Sequence, residues 1–172
     1  LHEGLLGVFG EQGLKELTYA DIEKEPALSI TDKGREFKAS QGGWAGFTDK
    51  YWASAIVPEQ NIAFDATLSY AAPPTTATPK IYQTFVTQPA TIVAANGTTQ
   101  VTTRLFVGAK EVNTLNAYEA KYGIKQFKLL IDWGWFWFIT QPLFSILDWI
   151  FRFTGNFGIA ILVVTVFVKA VF

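Results

Sequence analysis

Cysteine is absent from the 172 residues. That removes disulfide frameworks, thiolate nucleophiles and cysteine-ligated metals, and it leaves the redox compartment open. Histidine is nearly absent as well. The lone copy, His2, stands at the start of the chain, so imidazole acid–base chemistry has almost no material. Basic blocks are missing too: 14 Lys and Arg against 15 Asp and Glu leave a formal charge of −1. An electrostatic footprint for nucleic acid is therefore not found, and no nucleic-acid partner is expected. Gly108-Ala109-Lys110 is not a phosphate loop, because the remaining glycines and the following Ser or Thr are missing. No cofactor, no metal site and no catalytic residue are expected. A cleavable signal peptide is not read at the start, and Leu1-His2-Glu3-Gly4 reads as the middle of a domain.

What the chain does have is concentrated at its end. Aromatic residues crowd Trp133–Phe138, with Trp133, Trp135 and Trp137 at alternate positions. Tryptophan favours the headgroup region of a bilayer, where the ring is buried and its N–H stays wet. After Pro142, the polar residues Gln141, Ser145, Asp148 and Arg152 recur at spacings of four, three and four, which places them on one narrow helix face. The other faces carry Leu143, Phe144, Ile146, Leu147, Trp149, Ile150, Phe151 and Phe153. So narrow a polar stripe suits a helix half sunk in a membrane surface, with a helix packed in a soluble core as the bland alternative. Pro142 fits the first turn of this helix, where a missing N–H is harmless. Gly155-Asn156-Phe157-Gly158 then leads into an apolar run with no Pro, no acid and one base, Lys169. Crossing a bilayer takes about 20 residues. The run to Phe172 is slightly shorter and reads as a truncated transmembrane helix, with a buried core helix as the alternative.

The remainder reads as one domain rich in β-structure up to about Val107. Leu14–Tyr19 and Ile62–Tyr70 alternate, Gly42–Pro58 reads as an aromatic strand pair, and Ala71–Pro79 reads as a loop. Asn96-Gly97, set between β-branched runs, predicts a type I′ hairpin whose returning strand shows Val101, Thr103, Leu105 and Val107 on one face. Several short strands with regular turns indicate a β-sandwich. Val112, Leu115, Tyr118 and Tyr122 then mark a helix that Gly123 terminates.

Three stretches of the last third resemble the YidC/Oxa family of bacterial inner-membrane insertases. They are Ile131–Phe138 with Gln141-Pro142-Leu143-Phe144, Gly155-Asn156-Phe157-Gly158, and Thr165–Lys169. Upstream, Gly42-Gly43-Trp44, Tyr51–Pro58 and Phe106–Glu111 are similar to the later part of that family's periplasmic domain. The resemblance implies a mainly β fold, a periplasmic β-supersandwich like galactose-mutarotase domains, with a C-terminal helix. An interfacial amphipathic helix and a truncated transmembrane helix would follow. Residues 1–128 would belong to the periplasmic domain, 129–155 to the aromatic belt and amphipathic helix, and 156–172 to the transmembrane helix. It implies a multi-pass protein of the bacterial inner membrane, with residues 1–155 on the periplasmic side. Nascent membrane proteins, the Sec translocon, the ribosome and the lipid bilayer are its implied partners.

Lys169 lies thirteen positions after Asn156, roughly 20 Å along a helix. From the residues alone, a lysine in a polar groove and a lysine snorkelling to the far surface stand level. The resemblance favours the groove, since Lys169 and Thr165 match the family's polar groove positions, Lys169 replacing the usual arginine. Two functions follow. The first is a non-catalytic insertase and folding factor for membrane proteins. The second is a membrane-anchored periplasmic carbohydrate-binding module, in which Trp44, Tyr51 and Trp52 would stack on sugar rings. Saturable sugar binding would distinguish them.

Overall fold

Gly4–Phe9 is buried at every position, which only a strand covered on both faces can be. The computed structural model describes residues 3–73, 75, 78–134 and 136–171, and the chain divides into two units, Leu1–Ile131 and Asp132–Phe172. In the first unit the order is β1 (Gly4–Phe9), β2 (Leu14–Thr18), α1 (Tyr19–Ile22), β3 (Asp32–Gln41), β4 (Gly43–Thr48) and β5 (Trp52–Val57). Then come β6 (Ala63–Ala71), β7 (Ile81–Thr87), β8 (Arg104–Ala109), α2 (Val112–Tyr122) and a 3-10 turn at Phe127–Leu130. A five-stranded sheet runs β2-β1-β4-β5-β8 and a three-stranded sheet runs β3-β6-β7, with every pairing antiparallel. The protein is therefore mainly β, two antiparallel sheets followed by helices.

The pleat splits β1 between two cores. Leu5 and Phe9 point to the three-stranded sheet and pack with Phe37, Phe64, Ala66 and Leu68. Leu6 and Val8 point the other way, with Trp44, Ala55, Val57, Leu115 and Phe127. Gly7 makes room between Leu5 and Phe9: a Cβ there would lie 2.5 Å from the Phe9 ring, which stacks on Phe37 at 3.9 Å. Trp44 is wholly buried and meets Phe127 edge-on at 5.6 Å. It is core, so it cannot be a sugar platform. Tyr51 and Trp52 are exposed.

Two polar clasps close the layers. Gln60 accepts from the N–H groups of Gly43 and Lys125 and donates to the carbonyls of Gly43 and Pro58, at 2.8 to 3.1 Å. It thereby ties β4 to the chain just after α2. Glu23, following α1, receives hydrogen bonds from Lys80 and from Tyr82 of β7. Those two bonds, Lys80's first, hold the Glu23 carboxyl below the ordinary glutamate value.

The helix ends as the sequence indicates, with Gly123 left-handed at φ 63°. The hairpin at Asn96-Gly97 does not form. Asn96 has φ 62° and the Gly97 N–H reaches the Ala94 carbonyl at 2.8 Å, so the turn is present. Residues 88–103, however, make no strand. The reason is the fate of the flanks: β7 is committed to β6 by seven pairs and β8 to β5 by six, in different sheets. The segment is thus a crossover. Val101 and Thr103 lie outside β8, while Leu105 and Val107 do share its exposed face.

Removing the side-chain amide in Gln60→Ala should lower unfolding stability by about 2–3 kcal/mol, because four backbone groups lose their partner at once. Urea unfolding should show a reduced midpoint with an unchanged slope. For Glu23→Gln the expectation depends on pH. A depressed folded-state pKa contributes fully above the unfolded value of about 4.5 and is lost as pH falls through the folded value. The variant should therefore be the less stable at neutral pH, and the two midpoints should converge in acid.

Candidate functional site

The second unit is two helices, α3 (Trp137–Thr154) and α4 (Phe157–Val171). They are joined by Gly155, left-handed at φ 66°, and by Asn156, whose Oδ1 accepts from the N–H groups of Gly158 at 2.9 Å and Ile159 at 3.3 Å. A short polar residue in that position satisfies the first free N–H groups of α4. The helices contact one another, with Phe151 against Phe157 at 5.8 Å, and Ala160 and Val164 are the only buried side chains described on α4. No helix among the described residues is long and apolar enough to cross a membrane.

Helix α3 begins five residues before Pro142, so Pro142 lies inside it and not in its first turn. The substitute bonding is local. The N–H groups of Ile139 and Thr140 both reach the Phe136 carbonyl, and the Thr140 hydroxyl donates to the Trp133 carbonyl at 2.9 Å. These bonds start the helix early, and the single bond that proline cannot make is tolerated within it. The polar stripe is continuous: Ser145 donates to the Gln141 carbonyl, and Arg152 pairs with Asp148 at 2.8 Å. That pair contributes a few tenths of a kcal/mol.

Trp133 is half-buried against Phe144 at 5.8 Å, and its indole N–H is buried without a partner among the described residues. Trp137 and Trp149 stand out, 59% and 69% exposed. Trp135 lies outside the described residues. Phe138, Ile139, Phe153, Leu162, Val166 and Phe167 are also exposed, so both helices present an apolar surface that water solvates poorly. On α4, Thr165 and Lys169 are one turn apart on one face. The Thr165 hydroxyl is bonded back to the Ile161 carbonyl at 2.7 Å, and Lys169 makes no ion pair among the described residues.

The structure also shows an unforeseen groove in the first unit, between β8 and α2. It holds about 480 Å³ and is lined by Arg104, Phe106, Tyr118 and Tyr122 among others. The signal for it in the sequence was faint: alternate apolar residues Leu105 and Val107 on a strand that no following strand covers.

The family described as the YidC periplasmic domain matches residues 1–146. Curated relatives named membrane protein insertase YidC are similar over the whole chain. The one from Methylorubrum extorquens is 50% identical over 173 residues, 28% of the relative. That from Brucella melitensis is 50% identical over 172 residues, 26% of its length. That from Beijerinckia indica is 51% identical over 172 residues, 27% of its length. The chain thus spans about a quarter of the curated relatives it matches, and it belongs to the YidC periplasmic domain family.

Removing the cap in Asn156→Ala should cost the first turn of α4 about 1 kcal/mol. Amide exchange at Gly158 and Ile159 should quicken about fivefold, with little change at Val164.

Proposed function

We propose that this chain is the membrane-proximal part of a bacterial inner-membrane protein insertase: residues 1–128 the end of its periplasmic domain, 129–155 the interfacial belt and helix, and 156–172 part of a transmembrane helix. The observation that carries this reading is the roughly half identity over the whole chain, helices α3 and α4 included, to proteins named membrane protein insertase. The exposed apolar surface of both helices supports it, since lipid is the solvent that such a surface prefers. Residues 1–155 would lie on the periplasmic side, with Trp133, Trp135, Trp137 and Trp149 at headgroup level. Nascent membrane proteins would be the clients. The Sec translocon and the ribosome would be further partners.

The work is physical and makes or breaks no covalent bond. Carrying a charged side chain to mid-bilayer costs at least about 2.5–3.5 kcal/mol on insertion scales. A groove holding Lys169 and Thr165 would hydrate that depth and attract acidic client segments, lowering the cost. Partition of the client's apolar helix into lipid then drives the step. The carbohydrate reading loses Trp44, which is core, and keeps only the exposed Tyr51 and Trp52.

In the full-length protein, Lys169→Arg should keep insertion of clients with charged translocated tails. Lys169→Glu should lose it, while short uncharged tails are little affected. Complementation of a depletion strain and protease protection of a charged-tail client would measure this. Full activity of Lys169→Glu at normal protein level would sink the groove role.

A further inference from the structure

We propose that the free edge of β8, with the groove between it and α2, takes up an extended apolar polypeptide segment carrying an acidic side chain, added as a further strand. Every residue of this edge and groove lies in the first unit, apart from the helices that carry the insertion reading.

β8 ends its sheet, so one of its edges has no partner strand among the described residues. The Lys110 N–H donates to the Tyr51 carbonyl, next to the pair Trp52–Ala109. In an antiparallel ladder this phase turns the peptide groups of Arg104, Phe106 and Gly108 toward β5 and those of Leu105 and Val107 outward. The Ala109 carbonyl is taken by the Glu111 N–H, which leaves Leu105 and Val107 as a two-residue repeat open to an incoming strand. Sheet edges are usually blunted by proline, by a bulge or by inward charge. β8 has no proline, pairs without a register shift, and exposes Leu105 and Val107 at 70% and 71%. Beside the edge, Val57, Phe106, Tyr118, Tyr122, Ile124 and Phe127 form an apolar groove for alternate side chains of the added strand.

Charge decides the occupant. The Arg104 guanidinium lies 4.8 Å from the Tyr122 ring centre and the Lys121 ammonium 5.2 Å from it. Neither forms an ion pair among the described residues, and the carboxylate of Glu59 accepts from the Thr102 N–H. One end of the groove therefore carries two cations that no ion pair among the described residues engages. A second copy's β8 brings no acid, since Arg104–Ala109 contains none, and would leave both arginines unpaired. A partner with an acidic residue opposite Arg104 matches both the edge and the charge.

The test uses the full-length protein in lipid nanodiscs and a fluorescein-labelled twelve-residue peptide of alternating Val and Thr with one central Glu. Anisotropy should show saturable binding with Kd below about 1 mM. Arg104→Glu should weaken it at least about tenfold, and exchanging the peptide's Glu for Lys should restore binding to that variant. Val107→Pro, which removes an outward N–H, should abolish binding while circular dichroism and the unfolding midpoint show the sheet intact. Amide exchange at Leu105 and Val107 should be fast in the free protein and slow with peptide. The proposal is overturned by absent saturation, by equal affinity for the Glu and Lys peptides, or by Arg104→Glu binding like the wild type. Slow exchange at Leu105 and Val107 without peptide would also overturn it, because another strand or a second copy would already hold the edge.

Discussion

A sheet that must bury both faces at once is the constraint on which the first unit depends. β1 and β4 carry it. Their side chains alternate between a sandwich core shared with β3 and β6 and a second core roofed by α2 and the turn at Phe127–Leu130. Neither core is large alone, and each shares its strands with the other. A change at Leu5 is therefore transmitted to Leu6 through one backbone. Trp44 shows the tightness, since its ring is fully covered and its indole N–H has no partner among the described residues. Orphaning that donor is tolerated because the ring fills the space between β4 and Phe127.

Apolar packing alone does not choose one arrangement of layers, and the polar clasps supply direction. Gln60 saturates its amide oxygen and nitrogen with four backbone bonds, so the chain after α2 has a single station beside Gly43. The Glu23 cluster does the same for the three-stranded sheet, where Tyr82 also meets Tyr19 at 4.5 Å and Tyr70 at 5.3 Å. The second unit uses cheaper devices: a left-handed glycine, an asparagine cap and hydroxyls bonded back along the helix. These are local and depend on no distant residue.

That difference governs what was readable. The C-terminal joint, the polar stripe of α3 and the end of α2 are written in neighbouring residues, and all three were legible. β1 was harder, since a strand covered twice shows no alternation, and Gly4–Phe9 reads only as an apolar stretch with glycine. The failed hairpin teaches most. Asn96-Gly97 carries the right local chemistry, yet β7 and β8 gain more from their separate ladders with β6 and β5 than from each other. Pro142 misled for the opposite reason: a proline signals a helix start, but bonds from Thr140 and Ile139 to residues upstream began the helix sooner. The groove beside β8 left only a faint trace in Leu105 and Val107, because an unpaired edge is a property of the sheet and not of the strand.

The crossover between β7 and β8 has a consequence for how the protein can be handled. Residues 88–103 are almost wholly exposed and join no ladder, and their tip is held by one turn hydrogen bond. Closing a flexible loop costs free energy only as the logarithm of its length, so ten added residues should cost about 0.4 kcal/mol. A short epitope or a fluorophore-binding peptide spliced between Ala95 and Thr98 would thus ride on the sandwich at almost no thermodynamic expense.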